Sequence, residues 1–399
     1  MKPRSVLAAT SVFHFFQDGF IYAIFVLIPV ISSEFDLSFS QAGMLKSCLS
    51  GISSVFQIPV VFMAEKIGEA TSLIAGFGWL SAGFMAMGNS PSFIFLLVIT
   101  LITGLGHSVQ HPISTSVVSK VFENGKLGIT VGTLNLAGDI GKVCVPFFIS
   151  LILVSYSWRS SLMILGILGL FLSAIAGILK NKILPPDEKK EYLKERSLHT
   201  GSGFGILRNR SFLLFCIIGI IDCSTRMTVF TFIPFLSQRK GFAADKVGFI
   251  VSLIFFGGIF GKFICGYLMD KLGGEKVIMG CEFLTTLFVI LILSVSLPYF
   301  FIPLALVMGV ALNGSSSVLY SLVASFFKLE NRTRGYALFY TIYMLSGALG
   351  PVLYGLLGDA LGLYAIFISV SIATFLTIPL IGLYIRSNGL NSKTYSSCS

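Results

Sequence analysis

The sequence predicts an all-α membrane protein of twelve transmembrane helices arranged as two pseudo-symmetric six-helix halves. Three observations carry that expectation. Of the 399 residues, 55% are hydrophobic and only 12% charged, about half the charge of an average soluble domain. Apolar stretches long enough to cross a bilayer recur from one end of the chain to the other. Residues that punctuate helices also repeat at one fixed offset. Pro29 and Pro234, Gly43 and Gly248, Glu65 and Asp270, Gly68 and Gly273, Gly104 and Gly309, and Pro146 and Pro351 each stand 205 positions apart. Two six-span halves in the same orientation are the parallel repeat of secondary transporters, which handle substrate at the repeat interface near mid-membrane.

Taken in order, the first span (5–33) follows Lys2 and Arg4, as a secretory signal would. It is too long for one, contains Asp18 and Pro29, and lacks a small-residue cleavage site, so it reads as a retained helix. Spans two to six follow at 40–63, 70–88, 91–118, 126–153 and 158–181. Next comes the longest polar segment, NKILPPDEKKEYLKERSLHTGSGFGILRNR, with a proline pair at 185–186. Spans seven to twelve are expected at 210–237, 243–268, 276–297, 299–324, 334–357 and 361–385. The domain organisation is therefore an N-terminal half (1–183), a cytoplasmic linker (184–209) and a C-terminal half (210–399).

Charge placement orients the chain. Of 28 basic residues, four (Arg159, Arg239, Lys240, Lys246) fall in one set of loops and four (Lys46, Lys142, Arg226, Lys262) within spans, which leaves 20 on the opposite side. The positive-inside rule then puts both termini in the cytoplasm, and the expected location is a plasma membrane of the bacterial inner-membrane type. It also accounts for the net charge of +10 without a nucleic-acid partner. The seven cysteines (48, 144, 216, 223, 265, 281, 398) show no C-x-x-C spacing and read as small core residues. Neither a metal site nor a cofactor is expected, and the partners are a small solute, protons and lipid, with the chain acting as a monomer. The Asn331-Arg-Thr sequon falls on the cytoplasmic side.

An ionisable group at mid-span costs about 2.5–3.5 kcal/mol on insertion scales, which makes function the default reading. Within HFFQDGF, His14 and Asp18 lie one helical turn apart, with Gln17 between them. His107, Gln110 and His111 cluster on span four, and Asn135, Asp139 and Lys142 on span five. In the second half Asp222 and Arg226 share a face of span seven, and Asn313, Ser317 and Tyr320 one of span ten. Plainer readings stand beside these. Asp139–Lys142 and Asp222–Arg226 serve equally as self-neutralising structural pairs. His111, next to Pro112, suits a kinked helix. Lys46 reads as snorkelling to the interface, although Lys46, Ser50, Ser53 and Gln57 form a polar stripe; Lys262 reads the same way. The Tyr336, Tyr340, Tyr343 stripe reads as helix packing.

MDKLGGEK (269–276), preceded by Gly266, resembles the loop signature of the major facilitator superfamily. Its counterpart MAEKIGEA (63–70) carries Phe62 for the first glycine and Glu65 for the aspartate. The resemblance implies a gate latch built on Gly266, Asp270, Lys271 and Gly273, with Glu65 and Gly68 as first-half equivalents. SVFHFFQDGF, PVISSEFDLSFSQAGML and GLGHSVQHPISTSV are similar to the corresponding stretches of fosmidomycin-resistance-type exporters, which marks His14, Asp18 and His111. AGDIGKVCVP (137–146) keeps Gly138, Gly141 and Pro146 of that branch and departs at Asp139, Lys142 and Val145. The superfamily lines its cavity chiefly with spans one, four, seven and ten. The resemblance thus implies one polar cavity walled by His14/Asp18, His107/Gln110/His111, Asp222/Arg226 and Asn313.

The leading functional expectation is a proton-coupled transporter working by alternating access, more an exporter than an importer. Asp18 carries the proton, His14 tunes it, and Asp222 is the next candidate. Intramembrane bases suit an organic anion or zwitterion. A competing expectation makes the cargo a metal ion or chelate held by His14, Asp18, His107 and His111. A membrane-embedded enzyme ranks lower: HSVQH has Ser108 where a zincin needs its Glu, and no nucleophile elbow or Walker motif appears.

Overall fold

The computed structural model describes residues 3–122, 127–186, 209–295, 298–327 and 332–396. Residues 187–208 of the linker, including Lys194, together with Asn331, Cys398 and Ser399 and the Tyr336 side chain, lie outside that description. Among the described residues the regular structure is entirely helical. The first half contains α1 (Pro3–Phe35), α2 (Phe39–Ile67), α3 (Glu69–Gly88), α4 (Phe93–His107), α5 (Gln110–Val121), α6 (Leu127–Leu153) and α7 (Trp158–Ile183). The second contains α8 (Arg210–Arg239), α9 (Ala244–Leu272), α10 (Gly274–Ser294), α11 (Pro298–Val323), α12 (Arg332–Leu361) and α13 (Leu363–Ser396). With α4 and α5 taken as one segment, twelve helical segments among the described residues are long and apolar enough to cross a membrane.

The repeat legible in the sequence governs the backbone. Helix starts at Phe39 and Ala244, Glu69 and Gly274, Phe93 and Pro298, Leu127 and Arg332, and Trp158 and Leu363 are all separated by the same 205 residues. The turns follow suit. Gly68 and Gly273, which close α2 and α9, adopt φ of 97° and 88°, a region glycine enters at little cost. Asp36 and Gly241, again a matched pair, take φ of 51° and 92°. Even tertiary contacts repeat. A side chain on Gly104 would meet the Leu49 carbonyl, and one on Gly309 would collide with the carbonyl of Ile254, the residue matching Leu49. Small residues at such points let helices approach closely, as membrane packing requires.

The main departure from the expected spans is a break in span four at Ser108 and Val109, between α4 and α5. Pro112 explains it: proline has no N–H for the Ser108 carbonyl and its ring crowds that turn. The second half carries Ser317 at the matching position, and α11 runs unbroken.

The chain divides into two compact units, one formed by the first-half helices with Ser237–Ser252, the other by the rest of the second half. In the first, α1 is buried along most of its length and packs on α6. Phe13, Phe16 and Phe20 of α1 interlock with Phe77 and Phe84 of α3 as edge-on or tilted ring pairs. The second unit has its own core, which includes Phe212, Phe215, Phe339, Tyr343 and Tyr384. Ile94, Ile178, Phe263 and Leu353 lie on the outer surface. Against lipid such exposure carries no hydrophobic penalty, since the tails are as apolar as the side chains. Helix starts are capped where the sequence allows. Ser38 and Gln41 form a reciprocal capping box at α2, and Ser92 and Ser157 accept from the first turns of α4 and α7.

Candidate functional site

Two buried polar clusters stand out, one in each unit. The first centres on Asp18 of α1, only 2% exposed. His14 Nε2 approaches Asp18 Oδ2 to 3.3 Å, and His111 Nε2 of α5 approaches Oδ1 to 3.7 Å. Lys142 of α6 lies between two carboxylates, 3.0 Å from Asp18 Oδ2 and 3.1 Å from Asp139 Oδ1. The His14 and His107 rings each meet His111 edge-on, with centroids 5.0 and 5.5 Å away. His14, Asp18, His107, His111, Asp139 and Lys142 are therefore brought together, and the pairing of Lys142 with Asp18 goes beyond what helix spacing alone indicated. Gly138 makes room for it. A Cβ there would stand 2.7 Å from His14 and 2.8 Å from Asp18 Oδ2.

Beside this ionic group, Gln17 Nε2 donates to Gln110 Oε1 at 2.9 Å. Gln17 Oε1, Gln110 Nε2, His14 Nδ1 and His107 Nδ1 are buried and make no hydrogen bond among the described residues. Buried polar atoms left this way cost about 1–3 kcal/mol each, so they mark a place built to meet a polar group. Lys46 does not snorkel as expected. It is 3% exposed, and its ammonium lies 5.1 and 5.0 Å from the ring centroids of Tyr22 and Phe25. Cation–π attraction offsets part of its burial cost there. Asn135, by contrast, is exposed.

His14, Asp18 and His111 also present nitrogen and oxygen donors that lie within 4.8 Å of one another, close enough to hold a metal ion. The Lys142 ammonium on the same carboxylate works against a divalent cation.

The second cluster centres on Asp222 of α8. Tyr343 OH donates to Asp222 Oδ2 at 2.6 Å, and Ser315 Oγ makes a short hydrogen bond to Oδ1. Arg226 Nη2 lies 3.9 Å from Oδ2 and donates to Tyr343 OH at 2.6 Å. Asp222 and Arg226 thus meet more through Tyr343 than directly. Asn313 is not part of this group: its Nδ2 donates to Gly309 O at 3.2 Å, and its side chain packs on Gly258.

In the MDKLGGEK stretch, Asp270 and Lys271 are exposed, with the Lys271 ammonium 4.5 Å from the Tyr267 ring centroid. Gly266 has open space around its Cα. Glu65 is half-buried. The neighbouring acid, Glu69, makes the tie between helices, 2.6 Å from Lys120 Nζ and accepting from Ser116 Oγ at 2.7 Å.

Sequence reasoning passed over Tyr343, Ser315, Glu69 and Glu282. Tyr343 belongs to the stripe read as packing; it packs, and it also binds both members of the Asp222–Arg226 pair. The 205-residue offset could have found Ser315, since Gln17 and Gln110 correspond to Asp222 and Ser315, and both pairs are hydrogen-bonded. Glu282, 2% exposed on α10, is a mid-helix acid of the kind the first pass sought.

Residues 10–242 and 214–396 match the model of the Major Facilitator Superfamily. An uncharacterized MFS-type transporter of Methanocaldococcus jannaschii is 23% identical over 324 residues, spanning 81% of this chain and 83% of the relative. The fosmidomycin resistance protein of Escherichia coli is 24% identical over 286 residues, spanning 69% of this chain and 67% of that protein. The crystal structure of a nucleoside transporter matches the fold with a TM-score of 0.81 at 13% identity, over 96% of this chain and 99% of the other.

Proposed function

Since this chain belongs to the major facilitator superfamily, we propose that it is a proton-coupled secondary transporter that exports a small organic anion or zwitterion by alternating access. The observation that carries this reading is the buried chain Asp139–Lys142–Asp18, flanked by His14 and His111. At 3.0 Å and an effective dielectric near 20, the attraction of Lys142 for Asp18 is about 5 kcal/mol. Asp18 therefore accepts a proton only as that pair opens, and Asp139 is placed to keep Lys142 neutralised meanwhile. His14 and His111, with ring nitrogens 3.3 and 3.7 Å from the carboxylate, are the nearest groups to deliver or remove the proton. Gln17, Gln110 and His107 offer their unsatisfied atoms to the solute. Export is supported by the E. coli relative, whose name records resistance to a drug.

Reconstitution tests the reading. Asp18→Asn in proteoliposomes should abolish proton-driven transport while solute exchange continues, because exchange moves no net proton. Full proton-driven transport by that variant would remove Asp18 from the mechanism.

The triangle of His14, Asp18 and His111 donors favours a second reading, a divalent metal cargo. Calorimetric titration of the purified protein with Zn2+ and Mn2+ decides between them: tight binding that disappears in His111→Gln would replace the organic solute with a metal.

A further inference from the structure

Glu282 occupies a position that the scaffold treats as core. Its counterpart in the first half, 205 residues earlier, is Phe77, fully buried among Phe13, Phe16 and Phe20. In the second half that place holds a carboxyl group, 2% exposed, within hydrogen-bonding reach of the Asp222 carboxyl and the Thr377 hydroxyl of α13. An acid where a phenylalanine fits demands a reason, because an unpaired buried charge is among the most costly features a fold can carry.

The charge count sharpens the question. The titratable groups that meet Glu282 are Asp222 and Arg226 of α8 and Cys281 of α10; Cys223, Cys265, Tyr320 and Tyr343 stand around these in turn. Thiols and phenols are neutral near pH 7, so two carboxyl groups face a single guanidinium. Two carboxylates in contact cannot both remain ionised in such a setting; one proton held between them leaves the cluster neutral. Arg226 supplies an independent sign that the cluster has a further state. The residue is 6% exposed, yet its Nε makes no hydrogen bond among the described residues. It also stands 3.9 Å from Asp222, farther than a closed pair would.

We propose that Glu282 and Asp222 form an acid–carboxylate pair that shares one exchangeable proton, making a second proton-binding site within the second half, with Arg226 as its counter-ion. As a step in transport this rests on the proton-coupled reading above, but the proton itself can be observed without any transport.

Infrared spectroscopy of the purified protein in lipid, at neutral pH, tests it. The wild type should show the carbonyl stretch of a protonated carboxyl group, and the band should shift in D2O. Glu282→Gln should lose it. Asp222→Asn should lose it too, since the remaining Glu282 is then balanced by Arg226. Arg226→Gln should strengthen it, because neither carboxyl group then has a counter-ion. A band that persists in Asp222→Asn means a lone buried acid and overturns the sharing. A band that ignores D2O means a sealed structural acid and overturns the site. No band at all means both groups are ionised and ends the proposal. Should the band behave as expected while Asp18→Asn still transports normally, the pair stands and the mechanism assigned to Asp18 falls.

Discussion

The two polar clusters occupy matching places on matching helices and share almost no chemistry. Where α1 carries His14 against Gly138 of α6, α8 carries Gly219 against Tyr343 of α12. The bulk has changed sides of the same helix contact. The swap recurs at Gly19 against Val145, whose counterparts are Ser224 against Gly350, whereas the Asp18–Lys142 pair becomes the smaller Cys223 against Gly347. A duplicated frame tolerates such exchange because close packing fixes the summed volume at a contact rather than which helix supplies it. The first half has used this freedom to assemble an ionic group rich in histidine and lysine with several unmatched polar atoms. The second has built a tighter knot around Asp222, held by two hydroxyl donors. The first arrangement leaves polar atoms open to a ligand; the second spends its hydroxyl donors on one carboxylate.

The largest expected effect probes the frame itself. Gly141→Ser installs the residue found at the matching position 346, but any side chain there runs into the Phe15 carbonyl. Backbone cannot yield as a flexible side chain can, so destabilisation of about 3 kcal/mol, the upper end for overpacking, is expected. Gly132→Ala, with nothing within 4 Å, should remain within about 1 kcal/mol of the parent. Thermal unfolding in detergent measures both, and equal midpoints would mean that α1 and α6 do not pack as described.

Next in size is the contrast between the two basic residues. Lys142 neutralises two carboxylates at 3.0 and 3.1 Å, and Lys142→Gln should cost about 3–5 kcal/mol, as expected when one partner of a buried pair is removed. Arg226→Gln should cost only about 1–2 kcal/mol, because Asp222 keeps Tyr343 and Ser315 as donors. If Asp222→Asn with Arg226→Gln transports normally, the pair is scaffold only. A smaller effect separates the clusters by pH. His14→Gln removes the imidazole that stands 3.3 Å from Asp18 while preserving size, so the pH optimum of transport should move and the maximal rate stay near wild type. An unchanged profile would leave His111 as the histidine that matters.

Twelve spans, the repeat and the cluster around His14 and Asp18 were legible because each depends on local pattern: apolar length, a constant offset, a helical turn. What escaped depends on contacts across helices. Lys142 reads as a partner for Asp139 three residues away, and only the close approach of α1 and α6 at Gly138 brings it to Asp18. Tyr343 reads as one of three stacked tyrosines until Gly219 opens the space that lets it reach Asp222. Asn313 shares a helix with Ser315, yet its side chain turns to the Gly309 carbonyl, a bond that spacing alone does not reveal. Glu282 shows the opposite failure, since the rule that flags mid-span acids applied to it and only its apolar setting hid it.

The last prediction concerns orientation and should leave transport unaffected. The argument is electrostatic: basic residues near helix ends stay on the side where the chain is made, and the asymmetry in this sequence is five to one, 20 residues against the four at Arg159, Arg239, Lys240 and Lys246. Lys240 follows α8 in the short turn closed by Gly241 and is half-exposed. Cysteine placed there, in a background with the native cysteines replaced by alanine, should react with a membrane-impermeant maleimide in intact cells. Cysteine at Lys194, in the linker, should react only after the cells are opened. The repeat makes the test internally redundant. Asp36 occupies the turn that matches Gly241, and two halves running in the same direction must place both turns on one side. Asp36→Cys should therefore label together with Lys240→Cys. Labelling at position 194 alone would invert the orientation but preserve the repeat. Labelling of 36 and 240 from opposite sides would break the parallel relation between the halves, and with it the basis for comparing the two clusters position by position.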